Sequence, residues 1–253
     1  MKNKSLTYCL LGLTMTCLPT IASATITTTY QNPASSSEWL TIDAVSDWAT
    51  NSADMNGMLV TVTFADLTSE TLTWGEDVLT GGVSGNGWDL FMANPTGNTL
   101  SNGFTLTATG QTDILSLFLE GDPGMTMFDV EPLVGAFSTA NSRDGVPVAD
   151  SYTDAFGTVV TDSVSYSGID IIASYTMPVA LTGDNPVYDL YSNLLLSFTD
   201  TDGNGSAGFT SSDTLTFISD TDNEATPVPE PATIFLLGGG LAGLFSMRRV
   251  CKK

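Results

Sequence analysis

Asp200-Thr201-Asp202-Gly203-Asn204-Gly205-Ser206 is the stretch of this chain best equipped to hold an ion. Oxygen-bearing side chains stand at alternate positions, a donor set suited to a hard divalent ion such as calcium. Asp200, Asp202 and Asn204 would be the side-chain ligands, with the Ser206 carbonyl next. Other chemistry is scarce. The chain has no His, and its three cysteines are Cys9, Cys17 and Cys251. Between residues 25 and 225 there is also no Lys, so a Ser-His-Asp triad cannot be built there. What remains is paired carboxylates, as glycoside hydrolases use, or metal-activated water. Among 28 acidic residues, pairs such as Glu76 with Asp77 or Asp129 with Glu131 can be drawn almost anywhere and carry little meaning. The expectation is a protein without a catalytic site, with a carboxylate-based secreted hydrolase as the residual reading.

The spacing of the 200–206 segment resembles the opening of an EF-hand-type loop, in which positions one, three and five converge on the ion and a glycine at position six permits the sharp turn. The twelfth position is Ser211 in place of a bidentate Glu, and the preceding Leu194 to Thr199 (LLLSFT) reads as strand, so a helix-loop-helix hand is disfavoured. Asp213, two residues on, is a substitute carboxylate. The competing reading is a polar hairpin turn joining Leu194–Thr199 to Asp213–Ile218.

The elements that would position such a site are strands. Runs rich in Thr, Val, Ile and aromatics alternate at period two over Thr25–Tyr30, Gly57–Ala65, Glu70–Trp74, Phe104–Thr109, Ile114–Leu119, Met125–Val130, Ile169–Met177, Leu194–Thr199 and Asp213–Ile218. Turn formers separate them at Gly81-Gly82, Ser84–Gly87, Asn94–Gly97, Gly121–Gly124 and Gly183–Pro186. The pattern predicts an all-β fold, most simply a two-sheet β-sandwich forming one domain over residues 25–225. The polar stretch Ser138–Ser151 is either a subdomain boundary or one long loop. The acidic run Asp220–Glu224 reads as a solvated linker. Trp39, Trp48, Trp74 and Trp88 are either core residues or rings for stacking on sugars.

Both ends differ from this body. Met1-Lys2-Asn3-Lys4 supplies positive charge, Leu6–Leu18 is apolar, and Ala22-Ser23-Ala24 has the small-x-small form of a signal-peptidase site. This predicts a signal peptide over 1–24, export, and a mature start at Thr25. At the other end, Val228-Pro229-Glu230-Pro231 keeps the chain extended. An uncharged run from Ala232 to Met247 follows, about 24 Å long as a helix at 1.5 Å per residue, against a bilayer core of about 30 Å. Arg248, Arg249, Lys252 and Lys253 then place the C-terminus on the cytoplasmic side. Residues 226–253 thus read as an extended strip and a short transmembrane helix over 232–247.

This order of parts, Val228-Pro229-Glu230-Pro231, a Gly- and Leu-rich span and Arg248-Arg249, resembles the PEP-CTERM sorting signal of Gram-negative bacteria that make extracellular polysaccharide. The resemblance is confined to the last twenty-six or so residues. It implies recognition by an exosortase, a membrane cysteine protease that removes the tail, so that an inner-membrane precursor becomes an extracellular or cell-surface product. It says nothing of what the body does.

Lys2 and Lys4 lie in the leader and four basic residues in the tail, leaving Arg143 alone against all 28 acidic residues between 25 and 230, a formal charge of about −27. Such a field repels nucleic acid, so that partner is excluded, and attracts divalent cations. The cysteines all fall in the end segments, so the body is expected to have no disulfide. The sequence therefore points to a structural or adhesive protein of an exopolysaccharide or biofilm matrix. Its expected partners are signal peptidase, exosortase and exopolysaccharide, with calcium as a candidate cofactor. A carbohydrate-binding module is the alternative.

Overall fold

The computed structural model describes residues 26–31, 39–47, 50–75, 81–92, 94, 96–97, 99, 102–130, 145, 148, 151–153, 159–161, 169–182, 190–200, 208–211 and 213–225. The signal-peptide site Ala22, Ala24 and Thr25, the loop residues Asp202, Asn204 and Ser206, Trp48, and the whole tail from 226 lie outside them, as does most of Ser138–Ser151.

Period-two alternation becomes strand wherever one face finds a core. In β4 (Leu59–Phe64), Val60 and Val62 are buried, while on the other face the Thr61 hydroxyl bonds that of Thr71 on β5 (Ser69–Thr73) at 2.8 Å. β7 (Trp88–Met92) and β8 (Phe104–Ala108) repeat the pattern. Trp88, Leu90 and Met92 point inward opposite Ala108, Leu106 and Phe104.

The larger sheet is organised on a long hairpin of β13 (Ile169–Leu181) and β14 (Leu190–Asp200), registered from Ile169 opposite Asp200 to Pro178 opposite Tyr191. On the far side of β13 lie two short strands in parallel, β1 (Ile26–Tyr30) along its first half and β2 (Leu40–Ile42) along its end. Beyond β14 lie β9 (Ile114–Glu120), which leads to β4 and β5, and β10 (Thr126–Asp129), which leads to β16 (Asp220–Glu224) and β3 (Val45–Asp47). The sheet divides where β13 passes Met177, whose φ of 56° lies in the left-handed region that a non-glycine residue adopts at a cost. A second sheet runs β15 (Thr214–Phe217), β8, β7, β6 (Gly82–Gly85). A separate antiparallel pair, β11 (Ser151–Thr153) and β12 (Val159–Thr161), completes the described strands.

The two main sheets feed one apolar cluster. Val60, Val62, Leu117 and Leu119 come from the first, with Trp74 just past the end of β5, and Trp88, Leu90, Phe104, Leu106, Leu215 and Phe217 from the second. Trp74 meets Phe104 edge-on at 5.9 Å, and Phe104 stacks on Phe217 at 5.2 Å. The all-β expectation holds, and most of the strand pairs are antiparallel.

Three expectations need correction. Gly82 and Ser84–Gly85 belong to a strand, not a turn. A Cβ on Gly82 would fall 2.2 Å from the Leu90 carbonyl and one on Gly85 2.2 Å from the Trp88 indole nitrogen, so glycine here marks close approach of neighbouring chain, and the turn is only Asn86-Gly87. The hairpin drawn between 194–199 and 213–218 does not form. β14 lies in the large sheet and β15 pairs with β8 in the other, so the segment between them crosses from sheet to sheet. Finally, Asp220–Glu224 is not a solvated linker but β16, held between β10 and β3.

Candidate functional site

The acidic residues that the fold gathers are Asp129, Asp220 and Asp222. Antiparallel register sets Asp129 of β10 opposite Asp220 of β16, and alternation puts Asp222 on the same face two residues on. Met127, opposite Asp222, and Leu190, opposite Asp129, share that face, and both belong to a second apolar cluster with Ile42 and Val179. Asp220 is 2% exposed and the other two 0%.

Threonine hydroxyls and backbone amides hold β16 in place. The Thr221 backbone N–H donates to Asp220 Oδ1 at 2.9 Å and to the Thr99 hydroxyl at 3.1 Å. The Thr99 hydroxyl donates to Asp220 Oδ1 at 3.4 Å, and its N–H donates to the Thr50 carbonyl at 3.0 Å. Thr50 and Thr221 are also joined through their hydroxyls, and Thr50 donates to the Thr221 carbonyl at 2.6 Å. Nearby, the buried Tyr175 hydroxyl accepts from the Val148 N–H at 2.8 Å and bonds the Ser219 hydroxyl at 3.1 Å. Burial pushes the Tyr175 phenol up, so it stays neutral at all ordinary pH values.

Asp220 is the group in which these features conflict. Its Oδ2 has no hydrogen-bond partner among the described residues, and no Lys, Arg or His stands among those residues. Burial first, then the charges of Asp222 and Asp129, raise its carboxyl well above the ordinary value of 3.8. A carboxylic acid is therefore favoured over a carboxylate. This arrangement does structural work and is closed to a substrate.

The sign of its pH effect follows. An acid whose folded pKa is raised stabilises the fold fully below the unfolded value, and that contribution is lost as pH climbs from about 3.8 through the folded value. The melting temperature should fall as pH rises through that window. Asp220→Asn, which keeps the shape and removes the titration, should flatten the fall and raise the neutral-pH melting temperature. A melting temperature in the variant that tracks wild type at every pH would reject this account.

Of the calcium candidates, Asp200 ends β14 opposite Ile169, while Asp202, Asn204 and Ser206 lie outside the described residues. Asp213 is already engaged: its Oδ2 accepts from the Thr210 N–H at 2.7 Å and hydroxyl at 2.9 Å. Among the described residues, no group of three or more His, Cys, Asp or Glu is placed to hold a metal ion. The calcium reading of 200–206 still makes a clear prediction. At a calcium concentration a hundred times the dissociation constant, the folded state gains about 2.7 kcal/mol. At roughly 2–4 °C per kcal/mol for a chain of this size, chelation should lower the melting temperature by about 5–10 °C. Asp202→Ala should abolish the difference, and identical melting curves with chelator and with millimolar calcium would remove the loop as a site.

For Trp74 and Trp88 the core reading of the tryptophans holds. Trp74 and Trp88 are buried in the core, and their indole N–H groups donate to the Ser52 carbonyl at 2.9 Å and to Glu70 Oε2 at 2.7 Å. Trp39 is half-buried. Glu76, Asp77 and Glu131, drawn into acid pairs from sequence, lie outside the described residues. Nothing in the local pattern singles out Asp220 and Asp222. The one available signal was the β-branched Thr221 between them, which marks strand rather than linker.

Among the described residues, no helix is long and apolar enough to cross a membrane, and the expected span over 232–247 lies outside them. The last described strand closes just before the tail. β16 stops at Glu224, and the Ala225 N–H donates to the Ala44 carbonyl at 2.8 Å. No curated protein and no solved structure matches the chain. The PEP-CTERM protein-sorting motif matches residues 227–250. That span takes in Val228, Pro229, Glu230, Pro231, Arg248 and Arg249, and the chain carries this motif as its C-terminal tail.

Proposed function

We propose that the chain is an exported structural or adhesive protein of an exopolysaccharide matrix, sorted by an exosortase and without catalytic activity of its own. The observation that carries the reading is the junction. The PEP-CTERM motif begins at residue 227, and the last backbone bond among the described residues is made at Ala225. Removing the tail therefore cuts no described strand, as a disposable sorting signal requires. The body in between is acidic, thiol-free and β-rich, suited to a soluble life outside the membrane.

The signal peptide over 1–24, the inner-membrane precursor and the surface or extracellular product belong to the same reading. Its test is fractionation of the host. The processed body should be recovered with the extracellular polysaccharide, and in a strain lacking the exosortase the longer form should stay in the inner membrane. A body found free in the medium and never with polysaccharide would retain the sorting and remove the matrix role. The carbohydrate-binding alternative is favoured by a separate feature, described below. A hydrolase has less support, because Asp129, Asp220 and Asp222 are shut away from solvent.

A further inference from the structure

Three turns meet at one end of the two sheets. The β4–β5 turn, the β6–β7 turn and the β8–β9 loop surround a cleft of about 210 Å³, lined by Phe64, Asp66, Thr68, Asn86, Gln111 and Thr112. At about 30 Å³ per water it holds roughly seven waters, below the 300 Å³ or so of a site for a drug-sized ligand. A cleft of that size suits one small ring, and Asp66, Thr68, Asn86, Gln111 and Thr112 around it are exposed.

The frame is fixed by backbone. The Phe64 N–H donates to the Thr68 carbonyl at 2.9 Å, and the Ala65 N–H to the Asp113 carbonyl at 2.8 Å. The Thr109 and Gly110 N–H groups both donate to the Gly87 carbonyl at 2.8 Å. Gly87 has a φ of 88°, and a Cβ there would fall 2.6 Å from the Gly110 Cα, so only glycine permits this join. The Asn86 N–H donates to Glu70 Oε2 at 2.8 Å. None of these bonds uses the side-chain amide of Asn86 or Gln111, and both side chains are exposed and unbonded among the described residues.

The lining selects a chemical class. Two free carboxamides each offer N–H donors and a carbonyl acceptor, the pairing that neighbouring hydroxyls satisfy. Asp66 adds acceptor oxygens. Its Oδ1 takes the Thr68 hydroxyl at 2.6 Å and N–H at 2.9 Å, and these bonds, the hydroxyl's first, hold the carboxyl below its ordinary range. The half-buried Phe64 ring supplies an apolar surface at the same place. A carboxylate in a body without a described cation repels anionic ligands, and a single carboxylate is a poor cage for calcium. We propose that this cleft binds one ring of a neutral saccharide within a longer polysaccharide, with Asn86, Gln111 and Asp66 as its polar contacts.

The inference deepens the matrix reading by naming a point of contact, but it stands on the body alone, so sorting can succeed while this site fails. The test uses the full chain, purified in a detergent without a sugar headgroup and applied to an array of neutral and acidic glycans. Calorimetry then follows the best neutral ligand. Binding to neutral glycans is expected, unchanged by chelator, and weakened about tenfold by Asn86→Ala and by Gln111→Ala with the melting temperature unaltered. The two variants sit in different loops, so a folding fault in one leaves the other informative. Absence of neutral-glycan binding, binding indifferent to both substitutions, or preference for acidic glycans would overturn the proposal.

Discussion

Replacing Pro229-Glu230-Pro231 with alanines is expected to leave the chain uncut in the inner membrane of a host whose exosortase is active, an all-or-none change in product. Three prolines at 227, 229 and 231 hold the strip extended, and an extended backbone is the form a protease can bind. Alanines remove that constraint and favour helix, so the apolar run would continue upward through the junction. The uncharged residues 232–247 and the terminal Arg and Lys are untouched, so insertion and orientation should persist while recognition is lost. The variant should behave like wild type in a strain without the protease. Normal processing of the alanine variant would show that the strip is not what the protease reads.

Trp88→Ala is expected to be among the most damaging single changes in the body. The side chain is fully buried where the four-stranded sheet faces the larger one, so its loss combines a transfer cost with a large cavity, about 3–5 kcal/mol. That is a substantial part of the 5–15 kcal/mol or so that holds a domain folded, and at roughly 2–4 °C per kcal/mol it lowers the melting temperature by about 6–20 °C. The indole also ties the sheets together. Glu70 on β5 accepts from the Trp88 N–H at 2.7 Å and from the Asn86 N–H at 2.8 Å, so one carboxylate of the large sheet holds the β6–β7 turn of the other. Glu70→Ala should cost less, about 1–3 kcal/mol, for the polar groups left without their acceptor. Thermal melts of the two variants check the order, and a Trp88→Ala protein as stable as wild type would contradict the shared core.

What was legible in the sequence was what local pattern controls. GMLVTVTFA and FTLTAT show their buried faces at period two, and β4 and β8 lie inside those runs. What was not legible depended on partners far along the chain. DTDNE has the composition of a linker, yet β10 and β3 enclose it and hydroxyls from Thr50 and Thr99 bind its backbone, all distant in sequence. Gly82 and Gly85 looked like turn residues because their role, making room for Leu90 and Trp88 on the next strand, appears only once the strands are paired. The cleft was missed for a related reason. Phe64, Asn86 and Gln111 belong to three separate segments, and long-range joins, Gly87 to Gly110 and Ala65 to Asp113, bring those segments together. The tail was legible because its parts are consecutive and read as sequence, without a fold to assemble them.

A β body that is exported and then cut free of a disposable tail carries the record of both cuts at its two ends. Intact-mass spectrometry of the protein recovered from the culture medium and the cell envelope of a host with an active exosortase reads both ends at once. The expected product starts at Thr25, retains β16 and lacks Ala232 to Lys253. A product that still ends at Lys253 under those conditions would contradict that release and make the tail a permanent anchor.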